Sequence, residues 1–349
     1  MEKFLLVAAE EKGISPDIDE LKQLARTAGG VCVGEKIFKL KRINPAYYIG
    51  RGQAEEVAKF CEELNAKTVI FDFDLKPNQT RNLEGIIPAK IIDRTRLILD
   101  IFSRHAHSED GKNQVELAQL EYLLPRLTGK GIFLMQQVGG IGVRGPGEKK
   151  LEYDRRRIEK RISVLKRKLK DLAKRRQIQR RRRLKSKIPI VAICGYTNAG
   201  KTTLFNALTK AQATAQDKLF QTLEPLTRRA KIFDKEVIFV DTVGFIKNLP
   251  PQLINAFHST LEEIAPAGIV LVVLDISDPL WLLHREVVLK TLAELGFDKI
   301  PKIFVANKCD KLPQNFVIKN EKNFVYISAL KKEGIEMLKS RIYEEIFEK

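Results

Sequence analysis

The sequence predicts an α/β protein with two separate sheets, and three observations support this fold class. Short apolar segments alternate with amphipathic helical segments over residues 1–112 and again over 188–349, a pattern typical of parallel sheets covered by helices. Between them, residues 113–187 carry apolar residues at helical and heptad spacing. We therefore predict three domains: a small N-terminal α/β domain, a basic antiparallel helical hairpin and a C-terminal α/β domain with a mostly parallel sheet.

The N-terminal region is predicted to form a small open sheet. Strands are expected at residues 4–9, 30–40, 46–50, 68–73 and 90–93, with helices at 17–29, 52–65, 78–87 and 95–105. The first segment turns acidic after six apolar residues and has no small-residue cleavage site. We therefore expect a first strand here and not a signal peptide.

The middle region predicts two helices joined by a glycine-rich tip. Its apolar positions are Leu117, Leu120, Leu124 and Leu127 in the first helix and Leu151, Ile158, Ile162, Leu165, Leu169 and Leu172 in the second. In the second set Leu151 lies one heptad before Ile158, and from Ile158 the steps alternate between four and three, which indicates a coiled-coil seam. Residues 128–147 contain seven glycines, so they form either a flexible tip that enters a narrow cavity or a plain linker.

The charge of the chain is concentrated in this region. The 349 residues include 62 Lys and Arg against 44 Asp and Glu, a net charge of +18. Residues 149–187 alone hold 20 basic and 4 acidic residues. Such a focused charge indicates a polyanionic partner, although a solvated helix face is the simpler alternative. Because Tyr153 is the one aromatic residue of the basic helix, shape-based contact with folded RNA is favoured over base stacking.

Composition indicates a cytoplasmic protein. The longest apolar run, Gly268 to Leu274, is too short to cross a bilayer, which needs roughly 20 residues. The four cysteines are scattered without C-x-x-C spacing, which is typical of free thiols in a reducing compartment and implies no zinc site. His105 and His107 lie close to Glu109 and Asp110, where a solvated turn and a metal site are the alternatives.

A phosphate-binding loop is predicted at the start of the C-terminal domain. The pattern G-x-x-x-x-G-K-T follows an apolar strand and opens a helix, which is the setting that the motif requires. Backbone N–H groups of such a loop surround phosphates, the lysine reaches the β- and γ-phosphates, and the last hydroxyl binds Mg²⁺. A plain glycine turn is the alternative. The residues concerned are Gly195, Tyr196, Thr197, Asn198, Ala199, Gly200, Lys201 and Thr202.

Three later motifs, each at a strand end, predict guanine nucleotides and Mg²⁺ as ligands. The first motif supplies a carboxylate that holds Mg²⁺ through water and a glycine amide for the γ-phosphate. The second supplies a carboxylate that accepts two hydrogen bonds from guanine, and the third a backbone amide for the guanine oxygen. An ATPase is the alternative. The motifs are Asp241, Thr242, Val243 and Gly244; Asn307, Lys308, Cys309 and Asp310; and Ser328, Ala329 and Leu330.

These motifs resemble those of the translation-factor and Ras-type GTPases, which implies a P-loop GTPase domain. The resemblance adds a segment formed by Phe220, Gln221, Thr222, Leu223 and Glu224. Its Thr222 is the expected switch threonine, with Thr227 as a rival. The implied catalytic residues are Lys201, Thr222 and Gly244, and the implied Mg²⁺ ligands are Thr202, Thr222 and Asp241.

One position departs from the Ras-type pattern. Phe245 stands where those proteins carry a glutamine that orients the attacking water. Because a phenyl ring cannot polarise water, we expect slow intrinsic hydrolysis that a partner or another part of the chain accelerates. Phe245 could equally serve as a hydrophobic anchor for its loop.

Three further segments resemble the HflX family of ribosome-associated GTPases. They are residues 45–52, 119–127 and the tip at 139–156, which begins Gly-Gly-Ile-Gly-Val-Arg. The resemblance implies a GTPase that binds the large ribosomal subunit with GTP and splits or rescues ribosomes. An RNA chaperone or ribosome-assembly protein with a regulatory GTPase is the alternative. One helix follows Ser328, so we expect no small C-terminal domain of the kind that some relatives carry.

The N-terminal domain contains a candidate for a second phosphate site. Gly50, Arg51 and Gly52 lie between a predicted strand and a predicted helix, as in some phosphate cradles. The G-x-G pattern alone is weak, and a tight strand-to-helix turn is the alternative.

Overall fold

The computed structural model describes most of the chain. The described residues are 2–11, 15–127, 146–185, 188–211, 219–220, 225–247, 264–313 and 323–348. Residues 128–145 of the predicted tip and 221–224 of the predicted switch segment lie outside them. The chain divides into two compact units, Met1–Arg104 with Lys112–Leu169, and His105–Gly111 with Lys170–Lys349. The three-domain division at 112 and 187 stays a prediction.

The first unit contains a four-stranded parallel sheet. Its elements are β1 (Glu2–Glu11), α1 (Ile18–Thr27), β2 (Gly30–Leu40), α2 (Arg51–Glu63), β3 (Thr68–Phe71), α3 (Pro77–Glu84), β4 (Lys90–Asp93) and α4 (Arg94–His105). The strand order is β2-β1-β3-β4. Leu5, Leu6 and Val7 are each fully buried, so both faces of β1 are covered. Its continuous apolar sequence is the pattern that a covered parallel strand requires.

The prediction of a strand at residues 46–50 is wrong. These residues form a turn closed by the paired main chains of Asn44 and Tyr48. The Asn44 side chain accepts hydrogen bonds from the amides of Ala46 and Tyr47. These bonds stabilise a local turn and take the place of the hydrogen bonds that a strand would make. Tyr48 adopts a φ of 70°, which ends any extended segment.

The two helices of the predicted hairpin are α5 (Glu109–Leu127) and α6 (Pro146–Lys185). Arg161 makes a two-bond ion pair with Glu116 at 2.6 and 2.7 Å, and Lys166 pairs with Glu121 at 2.8 Å. Leu165 of the predicted seam is fully buried. On α5 the buried face contains Val115, Ala118 and Tyr122. The predicted leucine stripe of α5 is only half-buried.

The second unit contains a six-stranded sheet. Its elements are β5 (Ile190–Gly195), α7 (Lys201–Thr209), β6 (Leu226–Ile232), β7 (Lys235–Asp241), β8 (Ile269–Asp275), α8 (Trp281–Glu294), β9 (Lys302–Asn307), β10 (Phe324–Tyr326) and α9 (Ile335–Phe347). The order is β10-β9-β8-β5-β7-β6, with β6 antiparallel to β7 and the other pairs parallel. The sequence did not indicate β6, because an edge strand that carries Arg228, Arg229 and Lys231 resembles a polar loop.

The predicted seam residue Leu165 is buried, whereas the ion pairs of α6 are exposed, so substitutions at the two kinds of position should differ in their effect on stability. We expect Leu165→Ala to lower the free energy of unfolding by about 2–5 kcal/mol, because it leaves a cavity at a fully buried position. Glu116→Ala should cost less than about 1 kcal/mol, because its partner Arg161 is 45% exposed. Urea denaturation followed by circular dichroism measures both. Equal losses would show that Leu165 is not part of a packed seam.

Candidate functional site

The phosphate-binding loop connects β5 to α7 at the carboxyl edge of the second sheet. Strand β5 lies between β7 and β8 in the middle of the sheet, so its end is fixed on both sides. Gly200 is the N-cap of α7 and adopts a φ of 89°, while Asn198 adopts a φ of 61°. These left-handed residues curl the chain before the helix begins, as a loop that surrounds phosphates requires.

Three glycines stand where a side chain would not fit. A Cβ atom on Gly195 would lie 2.3 Å from the carbonyl oxygen of Val273 on β8. A Cβ on Gly200 would lie 2.3 Å from Nδ2 of Asn307, and one on Gly244 would lie 2.9 Å from Nζ of Lys201. Both predicted motifs therefore require glycine because neighbouring groups leave no room for a side chain, and at Gly200 also because of the backbone conformation.

Lys201 is the first residue of α7, and its side chain is buried. Its ammonium group donates a hydrogen bond to the carbonyl oxygen of Tyr196 at 2.6 Å. Burial lowers the pKa of Lys201 to about 8, while the nearby Asp241 carboxylate raises it. A buried cation beside a ring of backbone amides is suited to an anionic ligand.

A hydroxyl and a carboxylate, both able to bind a metal ion, meet beside Lys201. The Thr202 hydroxyl donates to Oδ2 of Asp241 at 2.8 Å, and Asp241 is fully buried at the end of β7. A hydroxyl and a carboxylate next to a phosphate-binding loop match the oxygen ligands and incomplete protein shell that Mg²⁺ prefers. The adjacent Thr242 has a structural contact, since its hydroxyl donates to the Ile193 carbonyl at 2.8 Å. Val243 is buried.

The loop after β7 docks on the phosphate-binding loop through its main chain. The amide of Phe245 donates to the carbonyl of Gly195 at 3.0 Å, and the amide of Thr197 donates to the carbonyl of Phe245 at 2.7 Å. The Phe245 side chain is 3% exposed. The alternative that Phe245 anchors its loop is confirmed, and its ring offers no group that could orient water.

Asn307, at the end of β9, braces two loops at once. Its Nδ2 donates to the carbonyl of Ala199 at 2.8 Å, and its Oδ1 accepts from the amide of Ala329 at 3.0 Å. The side chain is 2% exposed, so both bonds are shielded from water. The brace links the phosphate-binding loop to the loop after β10.

Asp310 and Ser328, from two separate motifs, are in direct contact. The Ser328 hydroxyl donates to Oδ1 of Asp310 at 2.6 Å and accepts from the amide of Lys331 at 3.1 Å. The hydrogen bond from Ser328 lowers the pKa of Asp310, which keeps this residue as a carboxylate. Lys308, with a φ of 66°, forms an ion pair with Asp275 at 2.6 Å.

The predicted site residues thus gather at one edge of the sheet, with a few exceptions. Cys309 is half-buried with its thiol directed at the Ala306 carbonyl, and Leu330 is 75% exposed. Phe220 is buried and adopts a φ of 57°. Gln221, Thr222, Leu223 and Glu224 lie outside the described residues. Sequence reasoning missed Asp275, which pairs with Lys308, and His284, whose ring stacks on Tyr196, because neither belongs to a motif.

The N-terminal alternatives find little support. The amide of Gly50 donates to the side chain of Gln53 at 2.7 Å, so α2 is capped by its own residue. A Cβ on Gly52 would meet nothing within 4 Å, so no close approach requires glycine there. This geometry favours the plain turn. Within the described ranges, no three His, Cys, Asp or Glu side chains cluster as a metal site would require.

Comparisons with known families agree with this geometry. Three family models match in succession: "GTP-binding GTPase N-terminal" at residues 15–103, "GTP-binding GTPase Middle Region" at 105–183 and "50S ribosome-binding GTPase" at 190–308. The chain is 49% identical over 331 residues to GTPase HflX of Caldanaerobacter subterraneus, a match that covers 95% of this chain and 77% of that protein. It is 41% identical over 337 residues to GTPase HflX of Escherichia coli, covering 95% and 79%.

Solved structures add a similar fold. A GTP-binding protein from the archaeon Sulfolobus solfataricus, crystallised in complex with GDP, is 26% identical to this chain with a TM-score of 0.50. The match covers 99% of this chain and 98% of that protein.

The close approach at Gly200 leads to a direct test. Gly200→Ala should weaken the binding of both GTP and GDP at least about tenfold, for two reasons. The new Cβ would displace the Asn307 side chain, and alanine is strained at the left-handed φ of residue 200. Gly52→Ala is the matched control, and its nucleotide affinity should equal that of the parent protein. Titration with fluorescent nucleotides measures both. Unchanged affinity in Gly200→Ala would contradict the role of close packing at this loop.

Proposed function

The chain belongs to the HflX family of GTPases, and on that basis we propose that it is a GTP-controlled switch that binds the large ribosomal subunit. In this proposal the GTP-bound protein docks on ribosomal RNA and splits or rescues ribosomes. Hydrolysis then relaxes the loops that contact the third phosphate, and the protein leaves.

We assign the phosphate contacts to the loop at residues 195–202. Lys201 binds the β- and γ-phosphates, and the amide of Gly244 meets the γ-phosphate. Thr202 and Asp241 would hold Mg²⁺, and Thr222 would join them when the third phosphate is present. The ion, when bound, neutralises charge on the phosphate oxygens. The contact between Thr202 and Asp241 at 2.8 Å supports this assignment.

We assign guanine recognition to Asp310. As a carboxylate it accepts hydrogen bonds from two neighbouring donors on guanine, a pair that adenine lacks. Ser328 orients this carboxylate, Asn307 fixes the surrounding loops, and a backbone amide of residues 328–330 meets the guanine oxygen. Lys308 lies beside the site, held by Asp275.

The observation that carries the RNA proposal is the exposed face of α6. All ten Lys and Arg residues between 151 and 174 are exposed. Six of them form no ion pair with any residue that the structure describes: Arg157, Lys160, Arg167, Lys168, Lys170 and Lys174. At 100° per residue these six fall within an arc of about 160°, opposite the side that carries Ile162 and Leu165.

This face is suited to phosphate backbones. It extends about 26 Å along the helix, enough to contact several successive phosphates. Because these six charges have no ion-pair partner among the described residues, phosphates of an RNA partner can pair with them and release their counterions. We therefore infer that α6 binds RNA.

We also propose that the protein works in the cytoplasm, where ribosomes are found. As a separate finding, no helix in the described parts of the chain is long and apolar enough to span a bilayer.

Asp310 provides the test of base specificity. We expect Asp310→Asn to weaken GTP binding by about tenfold or more and to shift preference toward xanthosine nucleotides, because an amide donates where the carboxylate accepted. Competition titrations with GTP, XTP and ATP measure the change. Lys311→Gln, at the next residue, controls for local charge. An unchanged order of preference would support an ATPase instead.

Nucleotide-dependent docking is the test of the switch. We expect the protein to sediment with large ribosomal subunits in a non-hydrolysable GTP analogue and to remain free in GDP, since the third phosphate orders the docking state. Equal binding in both nucleotides would contradict the switch. RNA remodelling that survives loss of nucleotide would favour the RNA chaperone or assembly role.

Charge reversal on α6 sharpens the same experiment. The triple variant Lys160→Glu, Arg167→Glu and Lys174→Glu should reduce subunit binding and lower the salt dependence of log affinity by up to about 3. The matched control is Lys59→Glu, Lys235→Glu and Lys299→Glu, which changes net charge equally at exposed positions outside α6. Both proteins should retain the intrinsic GTP turnover of the parent.

A further inference from the structure

We propose that Tyr196 is a positioning residue that ties the phosphate-binding loop to the segment after Gly244 and thereby sets the preference for GTP over GDP. The proposal concerns nucleotide binding by the isolated protein, so it does not depend on ribosome docking. Tyr196 is 6% exposed, and its contacts involve three separate parts of the second unit.

The first contact joins the two loops through a side chain. The phenolic oxygen of Tyr196 accepts a hydrogen bond from the backbone amide of Lys247 at 2.9 Å. Lys247 lies three residues after Gly244, whose amide we assign to the γ-phosphate. The phenol therefore restrains the far side of the segment that must contact the third phosphate.

The second contact fixes the ring itself. The Tyr196 ring stacks on the imidazole of His284, with centroids 3.8 Å apart and planes inclined by 12°. His284 is 9% exposed and belongs to α8, which follows a different strand. Because α8 is packed on β5 and β8, the stacking holds the phenol against a rigid element and limits its movement.

The third set of contacts lies in the main chain around Tyr196. The amide of Phe245 donates to Gly195, and the amide of Thr197 donates to Phe245, so bonds to the Gly244 segment flank Tyr196 on both sides. The carbonyl of Tyr196 also accepts from the Lys201 ammonium at 2.6 Å. One residue thus contacts both the lysine and the segment that carries the Gly244 amide.

These contacts set the gap between Lys201 and Gly244. A Cβ on Gly244 would lie 2.9 Å from the Lys201 ammonium, so the two groups approach closely. On the proposed function, the third phosphate contacts both groups, so small displacements of the segment change its fit. GDP has no phosphate that reaches the Gly244 amide. Weakening the Tyr196 contacts should therefore affect GTP binding and leave GDP binding nearly unchanged.

The test compares two Tyr→Phe variants. Tyr196→Phe removes the hydrogen bond and keeps the stacked ring, so the dissociation constant of a non-hydrolysable GTP analogue should rise about three- to tenfold, the usual effect of one hydrogen bond. The GDP constant should change less than about twofold on the same principle. Tyr343→Phe, in the same unit but outside the site, should match the parent protein.

Two variants of His284 extend the test. His284→Ala removes the stacked partner and should raise the GTP-analogue constant selectively, whereas His284→Phe restores an aromatic partner and should return toward the parent ratio. Thermal unfolding confirms that each protein is folded. Equal losses for both nucleotides in Tyr196→Phe, or no change for either, would overturn the proposal. A selective loss of GTP-analogue affinity would support it.

Discussion

Three glycines lie where strand ends of the second sheet converge, and at each of them a single extra carbon would collide with a neighbouring group. Gly195 faces the Val273 carbonyl, Gly200 faces Asn307, and Gly244 faces Lys201. The close approach brings loops from β5, β7 and β9 into mutual contact. The polar contacts of the site depend on it, because hydrogen bonds weaken steeply beyond their narrow range of distance.

Within this packed arrangement, the electrostatics of the site favour a charged ligand. Lys201 is buried with a depressed pKa, so the free protein bears part of the cost of desolvating its ammonium group. A phosphate placed beside it stabilises the charged form. The Asn307 brace beside this site uses neutral hydrogen bonds, which join the loops without adding charge.

The chain also places its two kinds of charge in different environments. The nucleotide site has few charges, of which Lys201 and Asp241 are buried while Asp310 and Lys308 are partly exposed and each held by one partner, whereas α6 carries many charges that stay in solvent. Buried charges give geometric specificity for one small ligand, while exposed charges give strength and salt dependence with an extended polyanion. This division is the basis of our proposal that the protein binds a nucleotide in one part and RNA in another.

The sequence by itself determined the fold class, the order of the motifs and most of the elements of both sheets. This was possible because covered parallel strands are continuously apolar and because the glycine and lysine pattern has few other uses. It also identified Phe245 as a departure, and the structure confirmed this side chain as a buried anchor.

Only the tertiary structure decided the turn at residues 46–50, the edge strand β6 and the partners of the site. The turn depends on the local hydrogen bonds of Asn44, and β6 has an exposed polar face that resembles a loop. Tyr196 and His284 are 88 positions apart in the sequence and stack only because β5 and β8 are neighbours in the sheet. Such contacts depend on strand order, which hydrophobic periodicity does not encode.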